Sequence, residues 1–117
     1  MKIKPLLSDF KIVKLDREAD VRLSDGFFSL TKDEEGCFSM ICEAALEEEC
    51  KKWRCLKIDE VLDFSLTGIL NNVLQPISDG AISVLVISAY DTDYIFVEKE
   101  KYRSAIDIMI MQGFINA

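Results

Sequence analysis

A chain of 117 residues has room for one compact domain and not for two independent ones. Half of its residues are apolar and 30% are charged, enough for a packed core beneath a well-solvated surface. The net charge of −7, with no basic stripe to relieve it, argues against binding nucleic acid or an anionic membrane surface.

The N-terminal half reads as strands. Phe10–Leu15 is apolar and β-compatible. Gly26–Thr31 and Cys37–Cys42 flank the polar segment Lys32-Asp33-Glu34-Glu35-Gly36, a hairpin signal. Ala44–Lys52 is a charged connector, read as one or two helical turns with a solvated face. Arg54–Ile58 then alternates as a strand entered through Trp53, the single tryptophan.

The C-terminal half carries stronger periodicities. Leu66, Ile69, Leu70, Val73, Leu74 and Ile77 form a continuous helical stripe. Asp63 and Ser65 are both competent N-caps, Pro76 removes a backbone donor from the last turn, and Gly80 suits the residue past the end. Ile82–Ser88 is apolar on both faces, which predicts a central strand. Asp91-Thr92-Asp93 turns the chain, and Tyr94–Val97 returns antiparallel. Tyr102, Ala105, Ile106, Met109 and Ile110 share one face of a second helix, which leaves Ile108 and Met111 off the stripe and available to a partner. Gly113 ends this helix, and Phe114–Asn116 supplies a short last strand. From Trp53 onward the order is therefore β-α-β-β-α-β, an antiparallel sheet with both helices on one face.

Four cysteines, Cys37, Cys42, Cys50 and Cys55, fall close together, but their spacing matches no usual zinc pattern and the chain holds no histidine. They are read as reduced thiols packed like small hydrophobes, with Cys37 and Cys42 on opposite faces of a sheet and no metal site. Without histidine, the usual general acid or base near neutral pH is missing. A glycine-rich phosphate loop and a nucleophile–base motif are absent too, so a non-catalytic protein is expected. The N-terminal residues show no signal peptide and no stretch approaches the roughly 18 apolar residues of a membrane span, so the expected compartment is the cytoplasm.

Two runs, Leu62-Asp63-Phe64-Ser65-Leu66-Thr67-Gly68-Ile69-Leu70 and Ser88-Ala89-Tyr90-Asp91-Thr92-Asp93-Tyr94, resemble signatures of the ACT-domain family. Within it they are similar to the group that includes aspartokinase regulatory regions and the CASTOR arginine sensors. The chain departs from the pattern at Gly80-Ala81-Ile82-Ser83, one residue longer than Gly-Ile-Ser, at Ala89 in place of threonine, and at Glu60-Val61 in place of Gly-Pro. The resemblance is dense from Trp53 to Phe114 and weak before it. It implies an α+β, ferredoxin-like ACT domain at 53–117, preceded at 1–52 by a β-rich ACT-like remnant, the two merged into one globular domain.

The resemblance further implies a homodimeric amino-acid sensor without cofactor or catalysis. Its ligand lies near the start of the first helix and against the following strand, and Asp63, Phe64, Ser65, Thr67, Gly68, Ile82 and Ser83 are the site residues. A helix N-terminus near Ser65 suits a carboxylate, Asp63 suits an ammonium group, Phe64 walls the pocket, and Gly68 permits close approach. Plainer roles stand beside these: Asp63 and Ser65 as caps, and Ser83 satisfying local backbone groups. The alternative reading is an interaction module with an empty ACT pocket that pairs with a regulatory protein.

Overall fold

The first half forms three strands, β1 (Ile3–Leu15), β2 (Phe27–Lys32) and β3 (Phe38–Glu43), seeded by β-formers such as Ile12, Val13, Phe27, Phe28 and Ile41. They are followed by β4 (Trp53–Ile58), α1 (Ile69–Asp79), β5 (Val84–Ser88), β6 (Asp93–Glu98) and α2 (Tyr102–Met111). The computed structural model describes residues 2–18, 20–23, 25–59 and 68–116, with the backbone alone at Ile69. The six strands make one antiparallel sheet in the order β2-β3-β1-β4-β6-β5. The class is α+β, as the sequence implied.

Both helical stripes face the same side of this sheet. Val73 and Ile77 of α1 and Ala105, Ile106 and Met109 of α2 pack on Ile3, Leu56, Ile58, Ile95 and Val97. Each aliphatic side chain buried there contributes about 1.5–3 kcal/mol. The intervening strand residues, Cys55 and Phe96, point the other way and are also fully buried.

The N-terminal strands cover that second face. In a flat sheet β2 would lie about 19 Å from β6, four strand spacings away. Yet the Phe28 ring of β2 stands 5.0 Å from Tyr94 and 5.3 Å from Phe96, both on β6. The sheet therefore curls back on itself around an aromatic core. β1 makes the turn possible: its register with β4 slips between Pro5 and Asp9, and from Phe10 onward it also pairs with β3. Arg54 holds the bend. Its guanidinium donates to the Leu6 carbonyl at 3.1 Å, stacks 4.2 Å over the Tyr102 ring, and lies 3.7 Å from Asp9, which Lys99 also meets at 2.6 Å.

Four expectations are corrected. Ile82–Ser88 is not a central strand: β5 is the sheet's edge. It is apolar on both faces because the helices cover Val86 while the curled N-terminal half covers Leu85 and Ile87. Phe114–Asn116 is no strand. The Phe114 carbonyl accepts one bond from the Ile3 N–H, and β1 lies beside β4 instead. The 44–52 connector is a loop without a helical turn, tied to β1 by Glu48 and Lys11 at 2.7 Å. That hydrogen-bonded pair raises the Lys11 pKa and lowers that of Glu48. Finally, Ile108 is not free for a partner but packs on the helical core, whereas Met111 is exposed.

The two helices end in the same way with different residues. Gly113, at φ +79°, follows α2, with bonds from its N–H to Ile110 and from the Phe114 N–H to Met109. After α1 the matching bonds run from Ala81 to Ser78 and from Ile82 to Ile77, so Ala81, at φ +59°, takes the left-handed position. Gly80 stands just past the end of α1, as expected, at φ −81°. The residue that lengthens the Gly-Ile-Ser motif is thus the one forced into a conformation that an alanine Cβ disfavours. Ala81→Gly is expected to raise stability by about 0.5–1 kcal/mol in urea unfolding, the relief of strain exceeding the added chain entropy.

Candidate functional site

Along α1, Asn71, Gln75 and Ser78 recur on the side opposite Val73 and Ile77, a polar face by helical spacing. Together with Leu74 and the segment 81–84, this face lines an open groove of about 660 Å³. Gln75 is held by its amide on Asp79 at 2.8 Å. Ile82 is buried at the floor, Ser83 is exposed, and Val84 begins the edge strand β5. Among the described residues, none of the eight that line it is charged.

Two of the expected site residues, Ile82 and Ser83, line this groove. Gly68 is described but is not among its lining residues. Asp63, Phe64, Ser65 and Thr67 lie outside the described residues. The helix as described begins at Ile69, with Gly68 as its N-cap and no acidic residue in its first turn. The positive dipole end of the helix is therefore not offset by a carboxylate within that turn.

Gly68 has a φ of +85°, a conformation that L side chains rarely adopt, which by itself calls for glycine. Among the described residues, a Cβ there would meet nothing within 4 Å. The tight helix contact lies at Gly80, where a Cβ would come within 2.8 Å of Ile108 Cδ1.

The second signature run has a structural role. The Thr92 side chain is buried and its hydroxyl donates to the Ile58 carbonyl, fastening the β5–β6 hairpin to the end of β4. The Ala89 N–H closes the turn on the Thr92 carbonyl at 2.8 Å. The cysteines are all unpaired thiols: Cys55 packs as a small hydrophobe, Cys37 and Cys42 are half-buried, and Cys50 is exposed. Among the described residues no group of three metal-ligating side chains converges, and no helix is long and apolar enough to cross a membrane.

Asn71, Leu74, Gln75, Ser78, Ala81 and Val84 are groove residues that sequence reasoning did not single out. The polar members carry only the signal of a solvated helix face.

No curated protein matches the chain. Among solved structures, one from Agobacterium tumefaciens superposes with a TM-score of 0.80 at 23% identity, covering 99% of this chain and 93% of that one. A second, from Vibrio cholerae, described as a protein of unknown function and possible transport protein, gives 0.72 at 20% identity, covering 92% and 86%. At such identities the likeness is one of fold. A family model described as the ACT domain matches residues 49–110, more than half of the sequence, and the chain belongs to the ACT-domain family.

Proposed function

We propose that this protein is a non-catalytic regulatory module that binds a free amino acid, the ligand lying between the start of α1 and the groove that runs down to β5. ACT domains commonly bind small ligands in regulation, and the observation that carries the reading here is the groove itself. It lies against α1 and the entry to the edge strand β5, with amide and hydroxyl groups along an apolar floor. The positive dipole end of α1, with no acidic residue in its first turn, supports carboxylate binding. Asp63 is the proposed partner of the ammonium group, with Phe64, Ser65, Thr67 and Gly68 around it.

The protein is proposed to work in the cytoplasm as a homodimer, joined through its open β5 edge or its helices, and to relay ligand binding to a regulatory partner. It is read as similar to the aspartokinase and CASTOR group. Residues 1–52 are read as a degenerate ACT-like unit fused to the domain at 53–117, a reading supported by their sharing one sheet. Light scattering is expected to give twice the chain mass at micromolar concentration.

Ser83→Trp tests the site. Ser83 is exposed, so the indole can project into the groove without disturbing the core. The variant is expected to keep the wild-type melting temperature in buffer and to lose the rise that the ligand gives. Full retention of that rise would place the ligand elsewhere. The uncharged lining favours a second reading, a dimerisation module with an empty groove. In that case no amino acid shifts the wild-type melt, while the dimer persists.

A further inference from the structure

Where β2 and β3 curl over the rest of the sheet, they leave a mouth at the β1 bulge. The bulge separates Leu6, Leu7 and Ser8 from regular pairing with β4, so the two halves of the sheet diverge there. The resulting cavity measures about 450 Å³, within the range of small-molecule sites. Leu6, Phe10 and Phe28 wall it, and they belong to the aromatic core, with Phe10 and Phe28 in edge-to-face contact at 5.3 Å. Leu7 is 91% exposed at its rim, an apolar side chain that the fold leaves in water.

One acidic group, exposed, stands at this mouth. Glu43 pairs across the sheet with Phe10 and accepts a hydrogen bond from the Ser8 hydroxyl at 3.1 Å. Gly26 lies against it: a Cβ at Gly26 would sit 3.4 Å from the Glu43 Cβ, so the absent side chain leaves the carboxylate accessible. Lys4, the one cationic residue on the lining, stands on a flexible four-carbon stem and is exposed. A carboxylate lining the same cavity as Phe10 and Phe28, in a chain of net charge −7, is complementary to a cation with an apolar body.

We infer that the mouth between β1 and β2 is a second ligand site, taking a small apolar primary ammonium compound with its charge on Glu43 and its body against Phe10 and Phe28. This site lies on the face of the sheet opposite the helices, apart from the α1–β5 groove, and does not rest on the amino-acid reading.

An NMR titration of the ¹⁵N-labelled full chain tests it, with phenethylamine as the probe. 3-Phenylpropionate carries the same ring with the opposite charge and serves as the control. Phenethylamine is expected to saturate below about 10 mM, a weak-ligand affinity, with shifts centred on residues 4–10, 26–28 and 43. The anion should not saturate. Glu43→Gln should weaken binding about tenfold by removing a charge-assisted bond. Gly26→Val should block the cavity with the charge intact, and its backbone is not in the left-handed region. A variant counts only if its spectrum stays native elsewhere, and one folded variant suffices to decide. Lack of saturation, equal response to both probes, unchanged binding by a folded variant, or shifts confined to residues 71–84 would overturn the site.

Discussion

Phe96→Ala is expected to lower the unfolding free energy by about 3–5 kcal/mol, a large share of the stability of a domain this size. Phe96 is fully buried at the centre of β6, paired with Cys55 of β4 on one side and Leu85 of β5 on the other. Its ring meets Phe10 at 5.4 Å and Phe28 at 5.3 Å, both edge-to-face, and such pairs add about 0.5–1.5 kcal/mol each beyond burial. Because Phe28 and Phe10 belong to the curled N-terminal half, the loss should also be local. Amide exchange in β2 and β3 should accelerate more than in α2, whose core residues contact the other face. A loss below about 1 kcal/mol, or uniform acceleration, would contradict a sheet that closes around this ring.

Alkaline destabilisation is expected to run through Cys55. Burial pushes its thiol up from 9.0 to about 12. Below pH 9 the thiol is protonated in both folded and unfolded chains, so the stability from burying it is fully present. As the pH rises past 9 the unfolded thiol ionises while the folded one keeps its proton until about 12. One such group removes roughly 1.4 kcal/mol per pH unit across that window. The comparison is with Cys55→Ala, which shares every other group of the chain. The variant should start less stable at pH 7 by about 1–2 kcal/mol, through the small cavity, and the gap should shrink above pH 9, close near pH 10 and reverse by about pH 11. A gap constant from pH 7 to 11 would show that the thiol ionises as freely inside as outside.

Helices were the most legible part of the fold. The stripes at Val73 and Ile77 and at Ala105, Ile106 and Met109 name their own core, because a 3.6-residue period leaves one face to bury. Strands were legible as segments but not as neighbours. Ile82–Ser88 is apolar on both faces, and burial of faces says nothing about whether a strand's edges are paired. The missing information was the curl of β2 and β3 over Leu85 and Ile87, a contact between residues far apart in sequence. β1 was read from Phe10 only, because Pro5, Ser8 and Asp9 look like loop residues. Pro5 is tolerated there by parity. The Ile3 N–H faces away from β4 to reach Phe114, and two residues on the absent N–H of Pro5 has the same orientation.

The candidate site was less legible. Ile82 and Ser83 were named from a family pattern, and both line the groove. Asn71, Gln75 and Ser78 were not, since neutral polar residues on a helix face look the same whether they meet a ligand or water. Gly68 was named for close approach, and its left-handed backbone, φ +85°, is a further cause that a sequence does not distinguish from it. Glu43 and Gly26, 17 positions apart, carried no shared signal, because only strand pairing brings them together.

A thermal melt of the wild-type chain with each of the twenty amino acids tests the sensor reading most directly. At about 100 times Kd the bound ligand adds roughly 2.7 kcal/mol to the native state, which raises Tm by several degrees in a domain this small. The account predicts such a rise with one amino acid or a closely related set, lost in Ser83→Trp and reduced in Asp63→Asn while the unliganded melts stay unchanged. A flat response across all twenty at millimolar concentration would contradict it.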